Sequence, residues 1–535
     1  MIPLTVAQVA EIVGGRLADI APADAARTRI TGTVEFDSRR ITPGGLFLAL
    51  PGARADGHDH AQAAVAAGAV AVLAARPVGV PAIVVSPDAS LGSRATGRSQ
   101  GRRSRSQGVA RKSGVLEHDD AAGSGAAVLA ALAKLAAAVA AELVAKGLTI
   151  VGVTGSSGKT STKDMLAAVL APLGEVVAPP GSFNNELGHP WTVLRAGEST
   201  DYLVLELSAR HRGNIAELAA VAPPQIGVVL NVGTAHLGEF GSREAIAETK
   251  AELPQAVPAS GVVVLNADDP VVAAMAVRTT ARVVRVSRNA HTDAGPSDVW
   301  AGPVSLDELA RPRFTLHAGQ GDAVAESAVQ LGVSGDHQVG NALCAAAVAL
   351  ECGATVEQVA AALADAGPVS QHRMHVTTRS DGVTFIDDAY NANPDSMRAA
   401  LQALVWIARQ TGTCRRSWAV LGEMAELGED AITEHDRIGR LAVRLDVSRL
   451  VVVGVGRSMS AMHHGAVMEG SWGAEAEKGA TMVADADAAW ALLRAELQPG
   501  DVVLVKASNA AGLAALADAL VSDTPGTQDA QDAAR

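Results

Sequence analysis

Aromatic side chains are scarce in this sequence: they make up 3% of 535 residues, with two tyrosines, six phenylalanines and six tryptophans. Alanine, valine and leucine must therefore build the core within a hydrophobic content of 48%. That profile excludes a disordered or fibrous chain and fits an α/β protein. Cysteine is nearly absent as well. Cys344, Cys352 and Cys414 have neither metal-ligand spacing nor a disulfide framework. Basic charge is in deficit, and a net charge of −13 argues against a general nucleic-acid binder while leaving room for a local pocket for small anions. A basic-then-apolar leader is missing from the N-terminus, so a cytoplasmic chain is expected. Only one run, Ala126 to Val144, imitates a membrane span. It carries Lys134 and Glu142, and Leu129, Leu132, Leu135, Val139 and Leu143 recur as on one face of a water-soluble helix. No membrane insertion is expected.

The length exceeds one hydrophobic core and implies several domains. Residues 1–90 contain the short apolar runs GLFLAL and PAIVV around the helical pattern AQAAVAAGAVAVLAA, as in a small α/β domain. Residues 91–114 then hold six arginines, one lysine and no acid. Such a segment cannot bury enough surface to order itself, and a solvated insertion explains it better than nucleic-acid binding in so acidic a chain. From Leu148 apolar strands alternate with helical patterns: LTIVGV, DYLVLEL, QIGVVLN and GVVVLNA. Nearly continuous apolar runs of this kind are parallel strands covered on both faces. A second series follows Pro368, with VTFIDD, SWAVLG, LVVVGVG and DVVLVKA, and implies a second doubly wound sheet. The boundaries fall at 1–115, 122–367 and 368–522, with 523–535 as a frayed tail.

The stretch TGSSGKTST, Thr154 to Thr162, joins the strand LTIVGV to the amphipathic pattern KTSTKDMLAAVL. Strand, glycine turn and helix are the context of a P-loop. Gly155 and Gly158 allow a tight path, and the N–H groups of Thr154, Ser156, Ser157 and Ser161 lie along it, open to phosphate oxygens. Lys159 would reach the β- and γ-phosphates of ATP, and Thr160 would ligate Mg²⁺. Val153 stands where the general pattern has its first glycine.

Polar residues collect after the strands, where ligands sit in open α/β sheets. Glu206 closes DYLVLEL, as an exposed edge residue or a metal ligand. Asn231 and His236 follow QIGVVLN; a loop histidine is structural about as often as it is a ligand. Lys250 reads, by itself, as a surface lysine. His337 and Asn341 stand four apart, either clamping a flat ring or capping and bracing a helix. The clusters DDAYNANPDSM, LGEMAELGEDAITEH and KASNAAGL follow three strands of the second sheet. Turn chemistry explains each alone, but one crevice would collect all three.

These segments resemble the Mur ligases of bacterial cell-wall synthesis over nearly the whole chain. The markers are DSRRITPGGLFLALPG with DGHDH, TGSSGKTSTK, NNELGHP, LELSARHRGNI, NVGTAHLGEFGS, NADDP, DDAYNANPDSM and LGEMAELG. The family shows the same shortened loop, which accounts for Val153. AYNANP, and the lack of an Asp-Asn-Pro-Arg motif, resemble the members that join D-Ala-D-Ala to a UDP-N-acetylmuramoyl-tripeptide. The resemblance implies an α/β fold of three domains: an N-terminal UDP-sugar domain, a central P-loop ATPase with a parallel sheet, and a C-terminal Rossmann-like doubly wound domain. It implies an ATP-dependent ligase that passes through an acyl phosphate, and a monomer. Ser38 and Arg39 would bind the UDP-sugar. Thr160 and Glu206 would hold one Mg²⁺, and His236 and Lys250 would serve a second site, Lys250 being carbamylated in relatives. His337 and Asn341 would flank adenine, and Arg373 and Asp388 would reach the phosphates and ribose. Asn184, Asn185, Tyr390, Asn391 and Asn393 would line the peptide side. Three features depart from the family: Gln338 directly after His337, Asn509 in KASN, and the insertion 91–114. Other readings are a ligase adding a single amino acid, a folylpolyglutamate-type synthetase, a P-loop kinase, or a non-catalytic nucleotide-gated module.

Overall fold

The computed structural model describes residues 1–52, 55–86, 120, 123–233, 237–321, 323–410, 415–470 and 479–522. His236, Cys414, the basic insertion and the C-terminal tail lie outside them. The chain forms two compact units. One comprises Met1–Ile150, Glu175–Leu207 and Ala216–Pro224; the other comprises Val151–Gly174, Ser208–Ile215 and Gln225–Arg535.

The first unit holds a five-stranded sheet in the order Arg16–Ala18, Ala82–Val84, Ala69–Ala74, Gly45–Leu48, Val34–Glu35. All its pairings are parallel except that of Arg16–Ala18. The pattern AQAAVAAGAVAVLAA is not one helix. It is a helix at Ala61–Ala66 and a strand at Ala69–Ala74. Gly68, at φ +118°, reverses the chain between them, a conformation that a side chain would resist. The strand that follows is buried on both faces, so it lacks the alternation that would have marked it. The apolar helix Ser124–Ala145 buries Val128, Leu132, Leu135, Val139 and Leu143 and packs against Val6–Val13 and Gly188–Val193. Its most apolar stretch has a mean hydropathy of 2.0 and is 44% buried. Val176–Val177 and Tyr202–Glu206 pair in parallel in the same unit.

The second unit carries two large sheets and a two-stranded pair, His291–Thr292 with Gly295–Pro296. In the first, Thr149–Thr154, Ile226–Val229, Val262–Asn266, Arg282–Ser287 and Val299–Ala301 succeed one another in parallel. An antiparallel edge of Pro312–Ala318 with Ser305–Leu306 and Ala325–Gln330 makes this sheet mixed. The sequence reading has it parallel throughout. The edge strands are short or alternate with polar residues, as in PRFTLHA and AESAVQ, and so lack the continuous apolar signature. Helices Lys159–Leu170 and Gln338–Glu351 pack together beside this sheet.

The second sheet has the order His375–Thr378, Thr384–Asp388, Val502–Lys506, Ser417–Leu421, Arg449–Val453, Gly479–Val483. All its pairings are parallel except the first. Two apolar clusters line it, one around Leu401, Leu404, Leu421 and Leu504, the other around Phe385, Trp418, Val503 and Leu516. The helix Pro394–Arg409 begins with a built cap. Asn393 accepts from the Ser396 N–H at 2.9 Å, and Pro394 supplies the fixed φ of the first turn.

Candidate active site

The loop from Thr154 to Thr160 is built by its neighbours as much as by its own glycines. Asn231, just past the strand Ile226–Val229, accepts at Oδ1 from the N–H groups of Ser156 (3.0 Å) and Ser157 (2.9 Å). Its Nδ2 donates to the Ser157 carbonyl at 3.1 Å. The Ser156 hydroxyl accepts from the Gly233 N–H at 2.9 Å, tying the second loop to the first. Gly158 enters the helix at φ +83°, and a Cβ there would stand 2.5 Å from Asn341 Oδ1. Glycine is thus required twice over, by backbone angle and by space. Helix Lys159–Leu170 then presents its first N–H groups at the loop, where an anion is stabilised.

Lys159 Nζ donates to the Gly155 carbonyl at 2.7 Å, folded over the loop it serves. Thr160 is buried on the first helical turn. Lys250, on the helix Arg243–Lys250, is not at the surface: it is 7% exposed. Burial, and after it the charge of Lys159, holds its amine well below the ordinary lysine range. The Lys159 charge thus acts on the Lys250 amine, a repulsion that a bound polyanion would relieve. The helix around Lys250 gave no hint of this, because TKAELP reads as an ordinary polar face.

His337 and Asn341 do not share one open face. His337 is exposed at the start of its helix, within electrostatic reach of Asp388 and Lys506. Asn341 is buried against Gly158 and donates to Gln338 Oε1 at 2.8 Å. Asp388 is buried too, and Lys506 reaches its Oδ2 at 2.5 Å and the Asn391 carbonyl at 2.8 Å. Lys506 heads the KASN segment, in which the sequence reading marked Asn509 instead. Burial lowers the Lys506 pKa, and the Asp388 carboxylate opposes that shift. The Arg373 guanidinium lies 4.4 Å from the Tyr390 ring centroid. Asn393 spends its side chain on the helix cap, and Asn391 Oδ1 accepts from the Ala392 N–H at 3.0 Å.

The first unit places the remaining candidates. Glu206, at the end of Tyr202–Glu206, is 1% exposed rather than an edge residue, and Asn184 Nδ2 donates to its Oε2 at 3.3 Å. Asn185 Oδ1 accepts from the Gly188 N–H at 2.9 Å and opens the helix Gly188–Val193. Arg39 grips Asp37 with two nitrogens, at 3.0 and 2.9 Å, while Asp37 caps the turn Ser38–Arg40. In the DGHDH segment, Asp56 bonds His58 Nδ1 at 2.6 Å and Arg76 at 3.0 Å.

Three family descriptions match the chain: Mur ligase family, catalytic domain, over residues 31–98; Mur ligase middle domain over 153–349; and Mur ligase, glutamate ligase domain, over 372–509. The chain is 76% identical over 530 residues to the UDP-N-acetylmuramoyl-tripeptide–D-alanyl-D-alanine ligase of Mycobacterium bovis, with 98% of each chain covered. It is 33% identical over 459 residues to the protein of that name from Escherichia coli, covering 85% of this chain and 86% of the other. Among solved structures, MurF from Acinetobacter baumannii is similar at 28% identity and a TM-score of 0.76, covering 97% of this chain and 99% of that one. The MurF ligase of Thermotoga maritima in complex with ADP is similar at 27% identity and a TM-score of 0.65, covering 90% and 95%.

Proposed function

The chain belongs to the Mur ligase family, and from that premise we infer an ATP-dependent amide ligase that adds D-alanyl-D-alanine to UDP-N-acetylmuramoyl-tripeptide in peptidoglycan synthesis. Its fold is the three-domain α/β arrangement of that family. The observation that carries the inference is the phosphate loop itself, shaped by Asn231 and covered by Lys159, with the buried Lys250 within electrostatic reach of Lys159.

The chemistry explains the parts. A carboxylate becomes an acylating agent only when one oxygen turns into a leaving group. The terminal carboxylate of the tripeptide attacks the γ-phosphorus, ADP departs, and an acyl phosphate forms. The amine of D-Ala-D-Ala then adds to the acyl carbon, loses a proton, and phosphate leaves as the amide closes. Two anions must meet in the first step, and the positive groups of the cradle offset that repulsion. Lys159 is proposed for the β/γ-phosphates, with the first N–H groups of the helix Lys159–Leu170 beside it; the Ser156 and Ser157 N–H groups are spent on Asn231.

Thr160 and Glu206 are proposed for Mg²⁺ on their chemistry alone, a hydroxyl and a carboxylate being hard oxygen ligands. The ion, when bound, supplies charge neutralisation on the phosphate oxygens. Lys250 and His236 belong to the proposed second metal position. A buried amine of lowered basicity is the nucleophilic form that adds CO2, which supports a carbamylated Lys250 as an oxygen ligand. Arg373 and Asp388 are proposed for the phosphates and ribose, and His337 and Asn341 for the adenine side. Ser38 and Arg39 are proposed for the UDP-sugar, and Asn184, Asn185, Tyr390, Asn391 and Asn393 for the peptide. The protein is proposed to act as a monomer in the cytoplasm.

The test is phosphate release from ATP with and without each co-substrate. Release that requires both the tripeptide nucleotide and D-Ala-D-Ala, and that is lost in Lys159→Ala, is expected. Release indifferent to the dipeptide would point to a kinase or a simple ATPase.

A further inference from the structure

Three consecutive residues, His372, Arg373 and Met374, each grip the region at the end of the strand Thr384–Asp388. His372 Nδ1 lies 2.7 Å from Asp387 Oδ2. Arg373 lies over the Tyr390 ring at 4.4 Å. The Met374 N–H donates to Asp388 Oδ1 at 3.3 Å. The backbone of this strap runs against preference, with φ of +56° at His372 and +51° at Met374. Residues with side chains enter that region rarely and stay there only where the surroundings fix them. The His372 and Asp387 side chains are 14% and 13% exposed, so solvent screens their pairing little.

We propose that His372 is a positioning residue of the ligase, its clasp on Asp387 holding Arg373 in place for the nucleotide. This rests on the assignment of Arg373 to ATP in the proposed function. Without the clasp, two strained residues and a long, flexible arginine would have to be ordered by the nucleotide itself, at a cost in affinity.

Among the described residues, two charged groups face the imidazole: Asp387 on the strand and Asp518 on the helix Ala514–Ser522, whose Oδ2 is 4.0 Å from Nε2. The Asp387 hydrogen bond, outweighing burial, raises the His372 pKa above its ordinary value. The charged clasp is therefore complete at low pH and is lost as pH rises through that raised pKa. Affinity for ATP falls on the same side.

The experiment measures KM for ATP and kcat of phosphate release by the full chain, with both co-substrates, from about pH 6 to about pH 9. It compares the wild type with H372A, H372G and H372N. Asparagine places an N–H donor where Nδ1 stands, tolerates the left-handed backbone and does not titrate. H372A is expected to raise KM about tenfold, the scale of one charge-assisted hydrogen bond, with kcat within about twofold. H372G relieves the backbone and is expected to show the same rise, which separates the clasp from the strain. H372N is expected to restore KM at neutral pH and to lose the alkaline rise.

An unchanged KM in H372A, or an alkaline rise that persists in H372N, overturns the proposal. So does a melting temperature raised by Zn²⁺ alone in the wild type but not in H372A or D518N. That result would make His372, Asp387 and Asp518 a metal site, since their ligand atoms lie within 4.8 Å of one another. If the wild type releases phosphate without the dipeptide, the ligase reading fails instead. Direct binding of a fluorescent ATP analogue to wild type and H372A then still decides the clasp.

Discussion

Asn231 and Ser157 hold each other through a reciprocal pair: the Ser157 N–H donates to Asn231 Oδ1 at 2.9 Å, and Asn231 Nδ2 donates back to the Ser157 carbonyl at 3.1 Å. The phosphate loop thus has its shape set by a residue 74 positions downstream, just past the neighbouring strand. Asn231→Ala removes both bonds and leaves the Ser157 N–H without this acceptor, while the Ser156 N–H keeps the main-chain carbonyl of residue 231. It is expected to raise KM for ATP by at least about tenfold and to cost about 1–2 kcal/mol of stability. Asn231→Asp keeps the acceptor but puts a negative charge in an anion cradle, so its loss of ATP affinity is expected to exceed that of the alanine variant. Steady-state kinetics on the two variants check the order.

Gly158 meets two separate demands, and they can be pulled apart. Gly158→Ala brings a Cβ against Asn341 and also forces a left-handed angle on a residue with a side chain. ATP-dependent phosphate release is expected to fall about a hundredfold or more. Adding Asn341→Ala relieves only the contact, so the double variant is expected to recover part of the loss. Full recovery would mean that the angle costs nothing.

His189 is completely buried, and among the described residues neither ring nitrogen has a hydrogen-bond partner of good geometry. Burial lowers its pKa to about 4, a shift that the nearby main chain of Glu206 and Leu218 opposes only in part. The unfolded chain then binds a proton that the folded chain refuses between about pH 6.5 and about pH 4. Stability falls as pH drops through that window, by about 3 kcal/mol for this one group. His189→Leu removes the proton site, so its unfolding midpoint is expected to change less between neutral and mildly acid buffer than that of the wild type. An equal change in both would show that other groups set the acid limit.

Lys506 and Asp388 form a buried pair at the end of two adjacent parallel strands. Lys506→Met leaves a carboxylate in a dry site and is expected to destabilise the protein by about 3–5 kcal/mol. Replacing both residues, Lys506→Met with Asp388→Leu, is expected to recover most of that stability while losing activity. Chemical denaturation of the two variants beside an activity assay separates the structural role of the pair from its place near the nucleotide.

Much of this could be read in the sequence, because the strands that build the two sheets are continuous apolar runs ending in polar clusters. LTIVGV, QIGVVLN, GVVVLNA and DVVLVKA are all strands of the structure. What was hidden is of two kinds. Edge strands such as Ser305–Leu306 and Gly479–Val483 are short or half-exposed and have no apolar signature. Residues whose role depends on a distant neighbour were hidden as well. Nothing in TKAELP tells that Lys250 is buried within electrostatic reach of Lys159, and KASN reads as the polar start of a turn. His337 and Asn341 share a helical spacing, yet one faces solvent and the other faces the glycine of the loop, because the adjoining helix Lys159–Leu170 covers only one side. Spacing gives the angle between two side chains, not what stands opposite them.

The central claim is that phosphate is passed to a carboxylate before the amide forms. The direct measurement uses UDP-N-acetylmuramoyl-tripeptide labelled with ¹⁸O in its terminal carboxylate, together with ATP and D-Ala-D-Ala, and reads the mass of the phosphate released. One labelled oxygen in that phosphate is the expected result, because the acyl phosphate leaves with an oxygen of the substrate. Phosphate carrying only oxygen from ATP and water would contradict the account.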